Sequence, residues 1–413
     1  MNERQVILLV APNLSSRMGG EAIKALSLLR QLHADGYDVV QVVHERCRDE
    51  LTRDYPELDF RFVRDSAFQA WLFRAMPGSW INYIVEAIAL NLVARRVARE
   101  PGVAIVHTTS PISPVFPHLP IPGAPSVIGP INGNIFHPPG FRHREGRFSL
   151  VKRRGFRATQ WLMSRFARGK HRADALLVSG GARTRTALGY AGLRGDRLID
   201  TLDSGVAARL EGYAPVVHEG RSGRFVFFGR LVRYKACDLA IRALAAAPSD
   251  ELALDVVGGG EEEAALKRLA SDLGVAERVT FVGWVPNGPE LFDRLRSYRG
   301  FVYPSLAEAN GIVIQEAMLL GLPIVALNWG GAAELLDGDS AMLIEPTDEE
   351  GVIAALAAAM TRLAAEPALA NRLGQAARQR ADAAGFIWPR LAKAWIGIYD
   401  RVLTARGLPP LRP

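Results

Sequence analysis

Residues 307–318 read AEANGIVIQEAM, with seven residues between Glu308 and Glu316 and the pair Asn310-Gly311 among them. An amphipathic run from Ile312 to Leu320 starts directly after the glycine, and Pro304 keeps a helix from reaching far back. The pattern therefore predicts Glu308 in a loop and Glu316 more than one turn inside a helix. The first amides of such a helix have no partner within it and carry the positive end of its dipole, so the ground between the two carboxylates suits an anion.

Outward from this stretch, short β-rich runs alternate with helical patterns. RFVFFG, LALDVVG, RVTFVG, GFVYPS, PIVAL and AMLIEP follow one another from Arg224 onward, each with a helix after it. An earlier series holds QVILLVAP, a helix from about Gly20 to Ala34, then DVVQVVH, LDFRFV, VAIVHTT, SVIGP and DALLVS. This rhythm is that of an α/β fold with two doubly wound parallel sheets. The turn-rich stretch DSGVAARLEGYAPVVHEGRSG between the two series reads as a linker, and FIWPRLAKAWIGIYDRVL as a final helix after Ala384-Gly385. In such sheets, ligands bind where strand ends lead into helix starts.

The chain has 413 residues, which suggests two domains rather than one core. Its two cysteines, Cys47 and Cys237, fall in different halves, so neither a disulfide framework nor a zinc site can be built from them, and a reducing cytoplasm is the expected home. The apolar run Val6–Ala11 is too short for a secretory signal. The helix expected from Trp80 to Ala98 is broken by Asn82, Glu86, Asn91, Arg95 and Arg96 and falls short of a membrane span. A net charge of +7 favours an acidic partner, and it is concentrated: residues 141–172 hold eleven Lys and Arg against the single Glu145, interleaved with Phe148, Phe156, Trp161, Leu162, Met163 and Phe166. This basic amphipathic stretch reads as a contact with an anionic membrane surface, which makes peripheral attachment to the inner face of the cytoplasmic membrane the expectation.

Arg230 leaves the strand RFVFFG and Lys235 opens the next helix, a spacing at which two cations can clamp a diphosphate. The ordered set FFGRLVRYK, VVGGGEE, VTFVGWVP, YPSLAEANGIVIQEAM and PIVALNWGGAAELL resembles the retaining glycosyltransferases of family 4. The resemblance implies the GT-B fold, two Rossmann-like domains facing each other across a cleft with the C-terminal helix crossing back to the first. On this sequence it would set an acceptor domain over 1–212 plus 386–413 and a donor domain over 213–385.

The same resemblance implies that Arg230 and Lys235 hold the diphosphate of a UDP- or GDP-linked sugar and that Glu308 contacts the sugar. Glu316 would contact ribose, amides of Asn310, Gly311, Ile312 and Val313 would cradle phosphate, and Gly283, Trp284 and Val285 would line the base. Where family members have Gly-Phe-Gly or Gly-Pro-Gly after the first glutamate, this chain has Ala309-Asn310-Gly311, so Asn310 either caps the helix or reaches a sugar hydroxyl. In the first half, Gly19-Gly20 resembles the family's glycine-rich loop near the donor phosphate. VIGPINGNIFHPPGF resembles a loop of members that build bacterial surface polysaccharides, with Asn132, Asn134 and His137 as candidates for acceptor hydroxyls. The family's His-x-His reads His107 and Thr109 here, so His107 is expected to be a packed core residue rather than a base. No cofactor or metal is expected, and the acidic turn at Asp337 and Asp339 resembles a metal-free turn of the family. The function implied is transfer of a sugar to a glycan or lipid-linked acceptor in polysaccharide or glycolipid synthesis. A GT-B epimerase shares the nucleotide site, whereas a nucleic-acid-binding protein would need a binding module that the sequence lacks.

Overall fold

The computed structural model describes residues 5–76, 79–146, 149–220 and 223–413. Two parallel sheets organise them. The first contains β1 (Val6–Val10), β2 (Asp38–His44), β3 (Asp59–Val63), β4 (Val103–Thr108), β5 (Ser126–Ile131), β6 (Ala175–Val178) and β7 (Leu198–Asp200), in the order β3-β2-β1-β4-β5-β6-β7. The second contains β8 (Arg224–Phe228), β9 (Ala253–Val257), β10 (Val279–Gly283), β11 (Phe301–Tyr303), β12 (Ile324–Leu327) and β13 (Met342–Ile344), in the order β10-β9-β8-β11-β12-β13. Both are doubly wound, reversing direction between their central strands, β1/β4 in one and β8/β11 in the other. The runs of Val, Ile, Leu and Phe that make these strands are buried on both faces, which is why they read as continuous rather than alternating.

In the first unit one face of the sheet is covered by the helix Gly20–Ala34, through Leu28, Leu29 and Leu32, and by the helix Trp388–Ala405, through Trp395 and Tyr399. The other face takes Leu90, Ala94 and Val97 of the helix Trp80–Val97 against Val40, Val42 and Val106. In the second unit Phe225, Phe227 and Val256 pack under the helices Cys237–Ala246 and Glu349–Ala365. Among the described residues no single helix is long and apolar enough to cross a membrane.

Chain order and compact units do not coincide as the sequence suggested. The first unit comprises the residues up to Asn134, Leu150–Gly205 and Trp388–Pro413, and the second comprises Ile135–Ser149 and Val206–Ile387. The segment Ile135–Ser149, assigned above to the acceptor domain, belongs to the other unit for local reasons. Phe141 is fully buried in the second unit's core, and Arg144 forks onto Asp238 at 3.1 and 2.8 Å and reaches Glu349 at 2.7 Å. Trp329 Nε1 donates to Phe136 O at 2.7 Å, and a Cβ on Gly140 would lie 1.7 Å from Thr347 O. The chain passes between units at Gly205-Val206 rather than near Gly212, because Val206 already pairs with Ile387 of the second unit. The strand Leu198–Asp200 and the two-turn helix Arg48–Asp54 were not anticipated; each is too short to show a period.

Candidate functional site

The switch point of the second sheet lies between β8 and β11, and the loops leaving these strands carry the cluster that the sequence singled out. The loop after β8 presents Arg230, exposed, with its Nη2 donating to Tyr234 Oη at 2.7 Å. It ends at Ala236, which takes a left-handed conformation (φ 51°) to enter the helix Cys237–Ala246. Lys235 Nζ forms an ion pair with Glu308 Oε2 and donates to Tyr303 Oη at 2.5 Å, and Tyr303 Oη also bonds the same carboxylate oxygen. The two residues that the sequence assigned to diphosphate and sugar therefore meet each other. Burial pushes the Glu308 carboxyl up, but the charge of Lys235 and hydrogen bonds from Lys235, Tyr303 and the Ala309 amide outweigh it and hold the group below its ordinary range. Burial, then Glu308, drives the Tyr303 phenol well above its own.

The helix Ile312–Leu320 begins after Gly311, its N-cap, at φ 75° with no side-chain cap. This removes the reading in which Asn310 caps the helix. Asn310 Oδ1 faces Gln315 Nε2 at 3.5 Å instead, and its Nδ2 is buried with no partner among the described residues. The first intrahelical acceptor is Gly311 O, which leaves the amides of Ile312 and Val313 without one. Gly330 and Gly331 lie against the loop: Gly331 N donates to Glu308 O at 2.9 Å, and a Cβ on Gly330 (φ 59°) would stand 2.7 Å from that oxygen. Two glycines are needed for so close a backbone approach.

Glu316 sits one turn further in, 4% exposed, accepting from Asn287 Nδ2 at 2.5 Å. Arg209 Nη2 in turn donates to Asn287 O at 3.0 Å. Burial pushes the Glu316 carboxyl up to about 7, against the Asn287 hydrogen bond and the Arg209 charge. Gly283 (φ 83°), Trp284 and Val285 leave β10 four to two residues before Asn287, and Trp284 is 75% exposed. Sequence reasoning missed Tyr303, Tyr234, Asn287 and Arg209. Only Asn287, two residues beyond the base loop, carried any positional signal.

In the first unit, Gly19 is the N-cap of the helix Gly20–Ala34, without a side-chain cap, and both glycines line a cavity at the ends of β1 and β4. Asn132 is buried with Nδ2 3.5 Å from Ser179 Oγ, and Asn134 Nδ2 donates to Arg183 O at 3.0 Å. His137 lies in the second unit, with its amide bonded to Glu145 Oε1 at 2.7 Å, so no single unit gathers all three acceptor candidates. His107 is fully buried. Its Nε2 lies 2.8 Å from Gly129 O, an oxygen that can only accept, so the proton sits there and Nδ1 accepts from Tyr399 Oη at 2.6 Å. Burial pushes this ring down to about 3, and it stays neutral.

In the acidic turn Asp337 Oδ1 is taken up by Ser340 N and Oγ, and Oδ2 by Arg380 at 2.7 Å. Of the basic stretch, Arg144 is spent on Asp238 and Glu349, while the helix Ser149–Phe166 exposes Trp161, Leu162 and Phe166. Arg147, Phe148 and the side chains of Lys152 and Arg154 lie outside the described residues.

The α/β architecture with two Rossmann-like parallel sheets is the GT-B fold. A solved sucrose-phosphate synthase from Thermosynechococcus elongatus matches 97% of this chain and 100% of its own with a TM-score of 0.69 at 20% identity. Residues 222–365 match the family model described as "Glycosyl transferases group 1", and this part of the chain is a glycosyltransferase domain of that group. Over 163 residues the chain is 37% identical to the GDP-mannose-dependent alpha-(1-6)-phosphatidylinositol monomannoside mannosyltransferase of Mycolicibacterium smegmatis, 37% of this chain and 41% of that one. Over 193 residues it is 33% identical to the D-inositol 3-phosphate glycosyltransferase of Streptomyces avermitilis, 44% of this chain and 40% of that one. The chain thus spans less than half the length of these curated relatives.

Proposed function

We propose that this protein is a retaining glycosyltransferase that moves a sugar from a UDP- or GDP-linked donor to a hydroxyl of a glycan or lipid-linked acceptor, in polysaccharide or glycolipid synthesis. The observation that carries the reading is the convergence of Arg230, Lys235, Glu308 and the unpaired amides of Ile312 and Val313 at the β8/β11 switch point of a group 1 glycosyltransferase domain. Lys235 and Arg230 supply fixed positive charge where the nucleoside diphosphate leaves, the work that a metal does in other enzymes. Lys235 Nζ is held at this point by Glu308 and by Tyr303 Oη. In the reaction the bond from the anomeric carbon to the phosphate oxygen breaks and one to the acceptor oxygen forms on the same face. The departing phosphate oxygen takes the acceptor proton, so no side-chain base is required. On this reading Asn310 Nδ2 donates to a sugar hydroxyl, Glu316 accepts from ribose and Trp284 lies on the base.

We also infer attachment to an anionic membrane. The helix Ser149–Phe166 pairs exposed Trp161, Leu162 and Phe166 with Arg157 and Arg165, and each cation near such a surface contributes about 1 kcal/mol. The test of the whole reading is incubation with UDP- and GDP-sugars and hydroxylated acceptors, with the anomeric configuration of the product read by NMR. Transfer with retention supports it. Conversion of the free sugar nucleotide without transfer favours an epimerase, and failure of UDP, GDP and their sugar conjugates to raise the melting temperature removes the donor site.

A further inference from the structure

Glu316 and the loop leaving β10 are joined by a relay that starts in the chain between β7 and β8. The loop runs Val285-Pro286-Asn287-Gly288-Pro289, and its two prolines fix the backbone on either side of Asn287, the second opening the helix Pro289–Leu295. Asn287 Nδ2 donates to Glu316 Oε1 at 2.5 Å, while Glu316 Oε2 takes no hydrogen bond among the described residues. Asn287 O in turn accepts from Arg209 Nη2 at 3.0 Å. The Arg209 guanidinium lies 5.4 Å from the ring centroid of Phe292, which is fully buried.

The segment that carries Arg209 is itself fixed. It is the 3-10 helix Ala208–Gly212, pinned by the fully buried Leu210 and followed by Tyr213, whose ring meets Phe292 edge-on with centroids 5.9 Å apart. Arg378 ties this segment to the helix that carries Glu316. Its Nη2 donates to Glu211 O at 2.9 Å, and its Nη1 to Tyr213 O at 2.8 Å and to Leu319 O. The elements packed against the helix Ile312–Leu320 also bring Glu211, Glu290, Asp293, Arg294, Glu334, Arg378 and Asp382, yet Arg209 is the charged group that lowers the Glu316 carboxyl against its burial. Asn287 and Arg209 are both exposed, so neither is needed to fill a core.

We propose that Asn287 and Arg209 are positioning residues for the ribose of the donor: Asn287 occupies one oxygen of Glu316 and leaves the other to the ribose hydroxyls, and Arg209 holds Asn287 by its carbonyl. An amide NH2 can only donate, so Glu316 Oε1 is taken as an acceptor and a hydroxyl must come to Oε2. The charge of Arg209 acts in the same direction. Burial pushes the Glu316 carboxyl up to about 7, and Arg209 opposes this, favouring the ionised form that accepts from a hydroxyl. The inference rests on the glycosyltransferase reading and adds to it two residues that act on the ribose only through Glu316.

The full-length wild type, Asn287→Ala, Arg209→Gln and Arg209→Lys are titrated calorimetrically with UDP and GDP and with their 2′,3′-dideoxy analogues. For the nucleotide that binds, Asn287→Ala should weaken the ribonucleotide about tenfold and the dideoxy analogue less than about twofold. Arg209→Gln should weaken the ribonucleotide several-fold. The ratio of the two affinities should fall as pH drops through the Glu316 titration, and phosphate ionisation cancels in that ratio. Arg209→Gln should move this limb to higher pH and Arg209→Lys should return it, a pattern that a merely structural arginine does not produce. Equal losses for ribonucleotide and dideoxy analogue overturn the proposal, and so does a limb that stays in place in Arg209→Gln. A wild type that binds UDP or GDP no better than the dideoxy analogue defeats the ribose contact and leaves the donor site standing. A wild type that binds neither nucleotide defeats the donor site, and the inference with it.

Discussion

Replacing Glu316 by Gln should stabilise the protein and impair it at once, and the size of the first effect follows from where the carboxylate sits. In the unfolded chain the group ionises at its ordinary 4.5, and in the folded chain burial beside Asn287 moves this to about 7. Between these values the folded state binds more protons than the unfolded one, so the stability linked to Glu316 is fully present below pH 4.5 and is lost as pH rises through 7. A shift of about 2.5 units corresponds to about 3 kcal/mol. Gln keeps the shape and an oxygen for Asn287 but never ionises. The gap between variant and wild type should therefore grow by about 2–3 kcal/mol from pH 5 to pH 8.5, in favour of the variant. For a unit of this size that is a difference of roughly 5–10 °C in melting temperature. Calorimetric scans of both proteins across this range provide the check. Curves that run parallel would refute the argument, since the carboxylate would then not be titrating where its burial puts it. At pH 8 the same variant should bind UDP or GDP more weakly by about 1.5–3 kcal/mol, through loss of a hydrogen bond to a charged group.

Glu308→Gln should leave free nucleoside diphosphate binding intact or tighter, because it releases Lys235 from its ion pair, while lowering turnover; calorimetry showing a tenfold loss of nucleotide would put the glutamate elsewhere. Trp284→Ala should cost nucleotide binding about 1–3 kcal/mol, the usual worth of base stacking, with no shift in melting temperature, as the side chain is 75% exposed. Phe141→Ala should destabilise by about 3–5 kcal/mol in denaturant titrations of the second unit's transition, since the ring is fully buried there. Arg157→Glu with Arg165→Glu should abolish sedimentation with anionic vesicles and leave nucleotide binding unchanged; equal binding to neutral and anionic vesicles counts against the membrane surface.

What could be read beforehand was whatever is local. The helix starting at Ile312 came from a glycine, a proline and a run of apolar residues within one stretch, and it begins where expected. All six strands of the second sheet carry long enough apolar runs to be seen, whereas Leu198–Asp200 does not. The pairing of Lys235 with Glu308 was not legible, because it depends on the loops after β8 and β11 lying side by side across 73 residues of sequence. Asn287 and Arg209 were missed for the same reason, and they matter only because Glu316 points toward them. The transfer of residues 135–149 to the second unit turns on one buried phenylalanine and one arginine fork, neither of which leaves a periodic trace.

The helix Trp388–Ala405 has a consequence for how the chain is made. It covers one face of a sheet whose last strand ends at Asp200, and Trp395 and Tyr399 fill that face. At roughly 5–20 residues per second, a ribosome needs on the order of 10–40 s to pass from that strand to the end of this helix. For that interval the part of the face that Trp395 and Tyr399 fill has no cover, while the second unit can complete itself in between. The half that is synthesised first is the half that finishes folding last, which makes its uncovered sheet face the natural client of a chaperone.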